Sequence, residues 1–224
     1  MSSLVVYGAG GLGREVALLV RAAIAAGADW NFIGFLDDQD QGEVLDSPIL
    51  GGLDAISSLS GAGQLNIVVA IGSSRALGVV ARAVRDTGAN VAFPNIAHPS
   101  ATVAWEYVES GVGNVVCAGA RLNNAQIGSH NIINMNTVLG HDCVLGSRNL
   151  ISPSATLNGE VSVGSDVTIG AGATIMPRVS IGDGATVAIG AVVGKTVEAG
   201  ETVAGNPARV VARAPSRTEQ KKGS

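Results

Sequence analysis

From Ile127 to Val193 an aliphatic residue recurs every six positions without a slip: Ile127, Ile133, Leu139, Leu145, Ile151, Leu157, Val163, Ile169, Ile175, Ile181, Val187 and Val193. In seven of these twelve hexads the next residue is glycine, and four positions on most carry a small or β-branched residue such as Thr137, Cys143, Ala155 or Val161. A helix repeats every 3.6 residues and a strand every two, so neither generates this rhythm. A parallel β-helix does, with three hexads closing one triangular coil. The aliphatic residue points into the prism, the small residue fits beside it, and the glycine is expected to help the chain turn the corner. Coils stack at the ~4.8 Å spacing of paired strands, so each depends on its neighbours. Upstream, Val116 and Leu122 are six apart but out of phase, which makes 100–126 a run of irregular early coils beginning near His98-Pro99-Ser100. The period leaves the handedness open; crossover rules alone favour a right-handed coil.

The first half keeps a different time. Leu4–Tyr7 reads as a short buried strand, followed by the loop Gly8–Gly13 (GAGGLG) and a helix over Arg14–Ala26. Phe32–Leu36 forms a second strand ending in Asp37-Asp38, and Asn66–Ile71 a third, ending in Gly72-Ser73-Ser74. A helix over Arg75–Thr87 and a strand over Asn90–Asn95 complete the set. Strands alternating with helices imply a small parallel, Rossmann-like sheet. The chain thus divides into an α/β domain over 1–97, a β-helix over 98–211 and a polar, mobile tail over 212–224.

Composition narrows the function. Hydrophobic residues make up 46% and charged ones 14%, so an oligomer is expected to hide apolar surface. A net charge of −4 with no basic run argues against nucleic-acid binding. The longest apolar stretch, Val16–Ala28, is broken by Arg21 and too short to span a bilayer, and the start lacks a basic signal region; a cytoplasmic protein is expected. Cys117 and Cys143 show no metal-ligand spacing and read as reduced thiols. GAGGLG after a strand is a dinucleotide-type phosphate loop, with Asp37 placed to meet a ribose hydroxyl. That fits NAD, except that a β-helix offers no hydride-transfer domain.

GAGGLG, LDD, IGSS, HPSA, the hexads and the closing GNPARVV, over residues 3 to 211, resemble the hexapeptide-repeat sugar acyltransferases that modify nucleotide-activated amino sugars. The resemblance implies a left-handed β-helix, acetyl-CoA as co-substrate, no metal and a homotrimer. It favours acetyl transfer to the 4-amino group of a nucleotide-linked dideoxy sugar, in kind nearest to GDP-perosamine. By position it implies His141 as catalytic base with Asp142 as its partner, and the Gly159 amide facing the thioester carbonyl. Substrate contacts fall on Gly10, Gly11, Leu12, Asp37, Asp38 and Gly72, and acetyl-CoA contacts on Gly159, Ala171 and Ile189. Two positions depart from the family: Leu12 and Leu150 stand where many or some members carry histidine.

Acetyl transfer to an amine needs an unprotonated amine, an acceptor for its proton and a donor for the oxyanion. Histidine suits the second task, and a backbone N–H at a glycine the third. There are three histidines. His98 at the domain junction reads as structural and His130 as a solvated corner residue; His141 reads by spacing as another corner residue, and it is the resemblance that implies it as the base, provided it lies where Asp142 can reach its ring. Asn206-Pro207-Ala208 is either a chain-reversing turn or a border of the CoA adenine. Three alternatives stand beside this reading: O-acetylation of a sugar such as sialic acid, with the same base; a zinc hydratase on the same coil, which needs three histidines around one ion; and a non-enzymatic assembly or binding module, against which the His-Asp pair and the complete α/β domain argue.

Overall fold

The computed structural model describes residues 2–39 and 42–213. In its first half, apolar runs form a four-stranded parallel sheet from β1 (Ser2–Tyr7), β2 (Trp30–Leu36), β3 (Leu65–Val69) and β4 (Val91–Ala92), in the order β2-β1-β3-β4. The central strands are apolar at successive positions, as a parallel sheet requires: Leu4, Val5, Val6, Ile67 and Val68 are fully buried. Helix α1 (Gly11–Ala25) buries Val16, Ala17, Leu19 and Val20, and α2 (Ser74–Asp86) buries Leu77, Ala81 and Val84. Both helices begin within three residues of the expected positions, and β4 is shorter than its sequence suggests.

The second half is a parallel β-solenoid with three faces. Face I runs from Ile96–Ala97 through Val115–Val116, Ile132–Ile133, Leu150–Ile151, Thr168–Ile169 and Thr186–Val187 to Glu201–Ala204. Face II holds Thr102–Val103, Arg121–Leu122, Val138–Leu139, Thr156–Leu157, Thr174–Ile175 and Val192–Val193. Face III holds Val108–Ser110, Ala125–Ile127, Cys143–Leu145, Ser162–Val163 and Ser180–Ile181. Every hexad aliphatic from Ile127 to Val193 is buried in one continuous core. The register slip is visible in the pairing: Val116 opposes Ile133 and Leu122 opposes Leu139, while Ile127 already opposes Leu145. One residue is therefore missing between Leu122 and Ile127.

The corners turn differently from the sequence expectation. None of Gly128, Gly140, Gly146, Gly164, Gly170 and Gly182, which follow the aliphatic residues, has a positive φ. A Cβ at these positions would lie 2.2–2.7 Å from atoms of the next coil, so their role is close stacking. The left-handed backbone falls two residues later, at every sixth position from His130 to Gly190, with φ between +57° and +66°. Most of these residues are not glycine, and each costs about 1–2 kcal/mol in that conformation. The compensation is regular: each donates its N–H to a carbonyl of the preceding coil, as His130 to Val112, Asp142 to Asn124 and Glu160 to His141, at 2.8–3.1 Å.

Polar ladders pin the coils at the corner between faces III and I. Asn114, Asn131 and Asn149 are fully buried. The Oδ1 of Asn95, Asn114, Asn131 and Asn149 accepts the backbone N–H of Asn114, Asn131, Asn149 and Val167 at 2.8–2.9 Å. Their amides donate to Gly111, Gly128, Gly146 and Gly164 carbonyls. Beside them Ser147, Ser165 and Asp183 accept the N–H of Ser129, Ser147 and Ser165.

The α/β domain sits on the early coils of face I. Val115 and Ile132 point out of the prism yet are buried in one apolar cluster with Val16, Leu19 and Leu77. This docking corrects the reading of His130. It is 4% exposed, packed edge-on against Phe93, and its Nε2 accepts from Arg85 Nη2 at 2.9 Å. Burial, then the Arg85 and Arg148 charges, lowers its pKa to about 4, and its Nδ1 is buried without a partner. The sequence reading failed because α2, distant in sequence, covers this corner. Arg209–Arg213 returns antiparallel along Glu201–Ala204, and Arg213 bonds Glu201 at 2.9 Å, so the first two residues of the expected tail, 212 and 213, lie in a strand. The rest of the expected tail, from 214, lies outside the described residues.

Candidate active site

The strand-to-helix loop opens a cavity of about 430 Å³, lined by Tyr7, Gly8, Gly10, Gly11, Leu12, Asp37, Asp38 and Gly72 among others. All six residues expected to contact substrate therefore share one cavity. The loop is held by packing that only glycine allows: a Cβ on Gly13 would lie 1.8 Å from the Gly8 carbonyl oxygen. Gly10, Gly11 and Gly72, by contrast, face open space. The N-terminus of α1 borders the cavity, and its first N–H groups have no intrahelical acceptor, which suits an anion. Both aspartates also hold the loop. Asp37 accepts the N–H of Ala9 and Gln39 at 2.9 Å. Asp38 accepts the Tyr7 hydroxyl at 2.5 Å and the Leu53 N–H at 3.0 Å; burial first, then this bond, pushes the Tyr7 phenol well up.

Gly11, Leu12 and Gly72 also line a second cavity, of about 400 Å³, whose other wall is Asn134, Leu150, Ser152 and Pro153. The cleft thus runs from the glycine loop to the corner between faces I and II. Leu12 and Leu150, the two departures from the family, are its apolar walls.

His141 and Asp142 lie at the corner between faces II and III, as their joint action requires. His141 Nδ1 is 2.8 Å from Asp142 Oδ2, and the two side chains are 64% and 61% exposed. Asp142 has φ +58°, the left-handed corner conformation, which turns its carboxylate back onto the preceding ring. Gly159 lies one coil on, directly beneath the imidazole: a Cβ there would sit 2.4 Å from His141 Nε2. The structure thus brings together the three residues expected to carry the chemistry. An ionised carboxylate accepts only, so Nδ1 donates to it and Nε2 is left with a lone pair.

Ala171 and Ile189 are placed elsewhere. They stack one coil apart at the corner between faces I and II, where Gly190 N–H donates to Ala171 O at 2.9 Å, and Ile189 is 80% exposed. Within one chain they do not meet His141. Both corners border face II, whose outward residues from Val138 onward (Val138, Thr156, Thr174 and Val192) are uncharged, while the exposed Arg121 lies one coil before them. Pro207 and Ala208 form the turn between the last two strands and line a cavity of about 380 Å³ with Lys195 and Arg209.

The histidines are dispersed. His98 Nδ1 is 2.8 Å from Ser100 Oγ, in the turn after the first strand of face I; His130 lies against α2, and His141 at another corner. This spread does not suit a three-histidine zinc site. Among the described residues no group of three His, Cys, Asp or Glu is arranged to hold a metal ion, and no helix is long and apolar enough to cross a membrane. Sequence reasoning missed Asn124, whose amide donates to Asp142 Oδ1 at 2.7 Å. The signal was available, because Asn124 precedes Asp142 by 18 residues, one coil.

The PglD N-terminal domain model matches residues 3–84, and the bacterial transferase hexapeptide (six repeats) model matches 124–159 and 160–195. No curated protein sequence matches the chain significantly. Among solved structures, the acetyltransferase domain of PglB from Neisseria gonorrhoeae FA1090, in complex with acetyl coenzyme A, is 35% identical, with 93% of this chain and 98% of that chain covered and a TM-score of 0.86. PerB from Caulobacter crescentus, in complex with CoA and GDP-perosamine, is 33% identical over 95% and 98%, with a TM-score of 0.86. WeeI from Acinetobacter baumannii AYE is 33% identical over 94% and 100%, with a TM-score of 0.83. With a parallel sheet domain, a hexapeptide solenoid and full-length likeness to these structures, the chain belongs to the hexapeptide-repeat sugar acyltransferases with a PglD-type N-terminal domain, and is an acetyl-CoA-dependent enzyme.

Proposed function

We propose that the protein transfers acetyl from acetyl-CoA to the 4-amino group of a nucleotide-linked dideoxy sugar, with a GDP-linked sugar of the perosamine type as the favoured acceptor. The observation that carries this reading is the His141–Asp142 pair set over Gly159 at a solenoid corner. The acceptor assignment draws on PerB, whose structure holds CoA and GDP-perosamine. The nucleotide occupies the glycine-loop cavity, its diphosphate near the α1 N-terminus, and the sugar extends along the cleft past Leu12 and Leu150.

In the reaction the neutral amine attacks the thioester carbonyl carbon, forming the C–N bond, while its proton passes to His141 Nε2. Asp142 keeps the proton on Nδ1 and stabilises the imidazolium, the role carboxylates play in triads. Gly159 N–H donates to the oxyanion. Collapse breaks the C–S bond, and the imidazolium returns its proton to the CoA thiolate. Attack is direct, with no acyl-enzyme.

The sugar cleft ends at one border of face II and the base sits at the other, so a single chain separates them. A three-fold assembly with face II turned toward its axis puts the I/II corner of one copy beside the II/III corner of the next, closing the site between them. Exposed Met135, Met176 and Ile189 at these two corners support it, since apolar surface of this kind marks contacts. Sedimentation at micromolar protein is expected to give a trimer; a monomer would refute the shared site. The activity test is thiol release from acetyl-CoA against GDP-, UDP- and dTDP-linked 4-amino sugars, for wild type and His141→Asn. Turnover of one amino sugar, lost by several orders of magnitude in the variant, supports the reading. Acetylation of only a hydroxyl-bearing sugar moves the acceptor to the O-acetyl alternative.

A further inference from the structure

Resting on the reading of His141 as the base, we propose that Asn124 is a positioning residue of the reaction, fixing the Asp142 carboxylate so that His141 keeps its Nε2 lone pair free. His141 and Asp142 are mostly exposed, so packing does not hold them. Their orientation comes from hydrogen bonds, and Asn124 supplies two. Its backbone carbonyl accepts the Asp142 N–H at 3.0 Å, a bond common to the solenoid corners. Its side-chain amide donates to Asp142 Oδ1 at 2.7 Å, a side-chain bond between coils like those of Arg148 with Asp166 and Arg178 with Glu160.

The carboxylate can only accept, so the Nδ2 face of the amide must be the one turned to it. Oδ2 is then committed to His141 Nδ1–H at 2.8 Å. Each oxygen has one donor, and a rotation of the carboxylate that loses Asn124 also misaligns the imidazole. A freed carboxylate lets the neutral ring adopt its other tautomer, with the proton on Nε2, where it cannot accept from the amine. In triads a wrong tautomer costs about 10⁴ in kcat; partial loss of orientation here is expected to cost about tenfold. Asn124 is linked to His141 only through Asp142, so binding of both substrates is expected to be preserved.

The test compares wild type, Asn124→Ala and Asn124→Asp. Ring-nitrogen NMR shifts of His141 report its tautomer, assigned by the signals that vanish in His141→Asn; with three histidines in the chain the spectrum is sparse. Wild type is expected to show one neutral tautomer, protonated at Nδ1, and Asn124→Ala a mixture. kcat is expected to fall about tenfold in Asn124→Ala with both KM values within about twofold of wild type. Asn124→Asp keeps the shape but removes the donor, and is expected to lose more, as two carboxylates then oppose each other. An unchanged tautomer and kcat in Asn124→Ala would overturn the proposal, as would full activity in Asn124→Asp, which would leave only a packing role. Wild-type inactivity toward every amino sugar would instead overturn the function, while the ring-nitrogen comparison still decides the role of Asn124.

Discussion

Replacing Gly159 by alanine tests the active-site geometry with a single methyl group. The new Cβ would lie 2.4 Å from His141 Nε2, 2.6 Å from Cε1 and 2.9 Å from Cδ2. Ordinary contact begins near 3.4 Å, so the ring must retreat by roughly 1 Å. It can, because it is largely exposed, and the backbone at Gly159 is outside the left-handed region. The substitution should therefore leave folding within ~1 kcal/mol of wild type. Catalysis should suffer far more. A misplacement of ~1 Å costs about 100-fold in rate, which corresponds to about 2.7 kcal/mol of transition-state stabilisation. The assay is thiol release from acetyl-CoA with the preferred amino sugar, beside a urea unfolding curve. Expected are a kcat/KM about 100-fold down and an unchanged unfolding midpoint. Activity within threefold of wild type would show that the ring position over Gly159 does not matter to the reaction, and the mechanism as written would fall.

Other expectations follow from the same structure. Asn131→Ala strips a buried ladder rung, leaving the Asn149 N–H and the Gly146 carbonyl without this partner. At about 1–3 kcal/mol for each buried unsatisfied group, a loss of about 2–6 kcal/mol should appear as a lower urea midpoint with unchanged slope. His130 is held neutral with its pKa near 4, below its unfolded value of ~6.5. Its contribution is therefore fully present above pH ~6.5 and lost as pH falls toward 4, at most roughly 3 kcal/mol. Unfolding curves at pH 7 and 4.5 should show this slope in wild type and a flatter one in His130→Asn. Cys117, raised to about 12 mainly by burial, and Cys143, raised by burial, are both buried free thiols. A thiol reagent should label neither before unfolding, which a labelling time course in native buffer and in urea would check; prompt labelling of the native chain would contradict their burial.

Much of the fold was legible because its determinants are local. A six-residue period can be met only by a coil that buries every sixth side chain, and the slip between Leu122 and Ile127 appears directly in the pairing of Val116 with Ile133. The glycine loop was readable for the same reason: a strand end, a phosphate turn and a helix start lie within a few residues. The function of the corner glycines was not legible. Their spacing is the same whether they relieve φ or admit a neighbouring coil, and only the stacked backbone distinguishes the two.

Short-range stereochemistry and a repeating burial pattern dictate the solenoid, the parallel sheet and the glycine loop, whereas the pairing of His141 with Asp142 was expected only from the family resemblance. Tertiary structure decided everything that depends on which surfaces meet. Docking of α2 turned His130 from a solvated corner into a buried neutral ring on Arg85. Coil stacking brought Asn124 to Asp142 and Gly159 beneath His141. The prism put Ala171 and Ile189 at a different corner from the base, although the same period generates both. The physical reason is that a hexad specifies which side chains point inward, while the environment of those pointing outward is set by whatever element packs on that face.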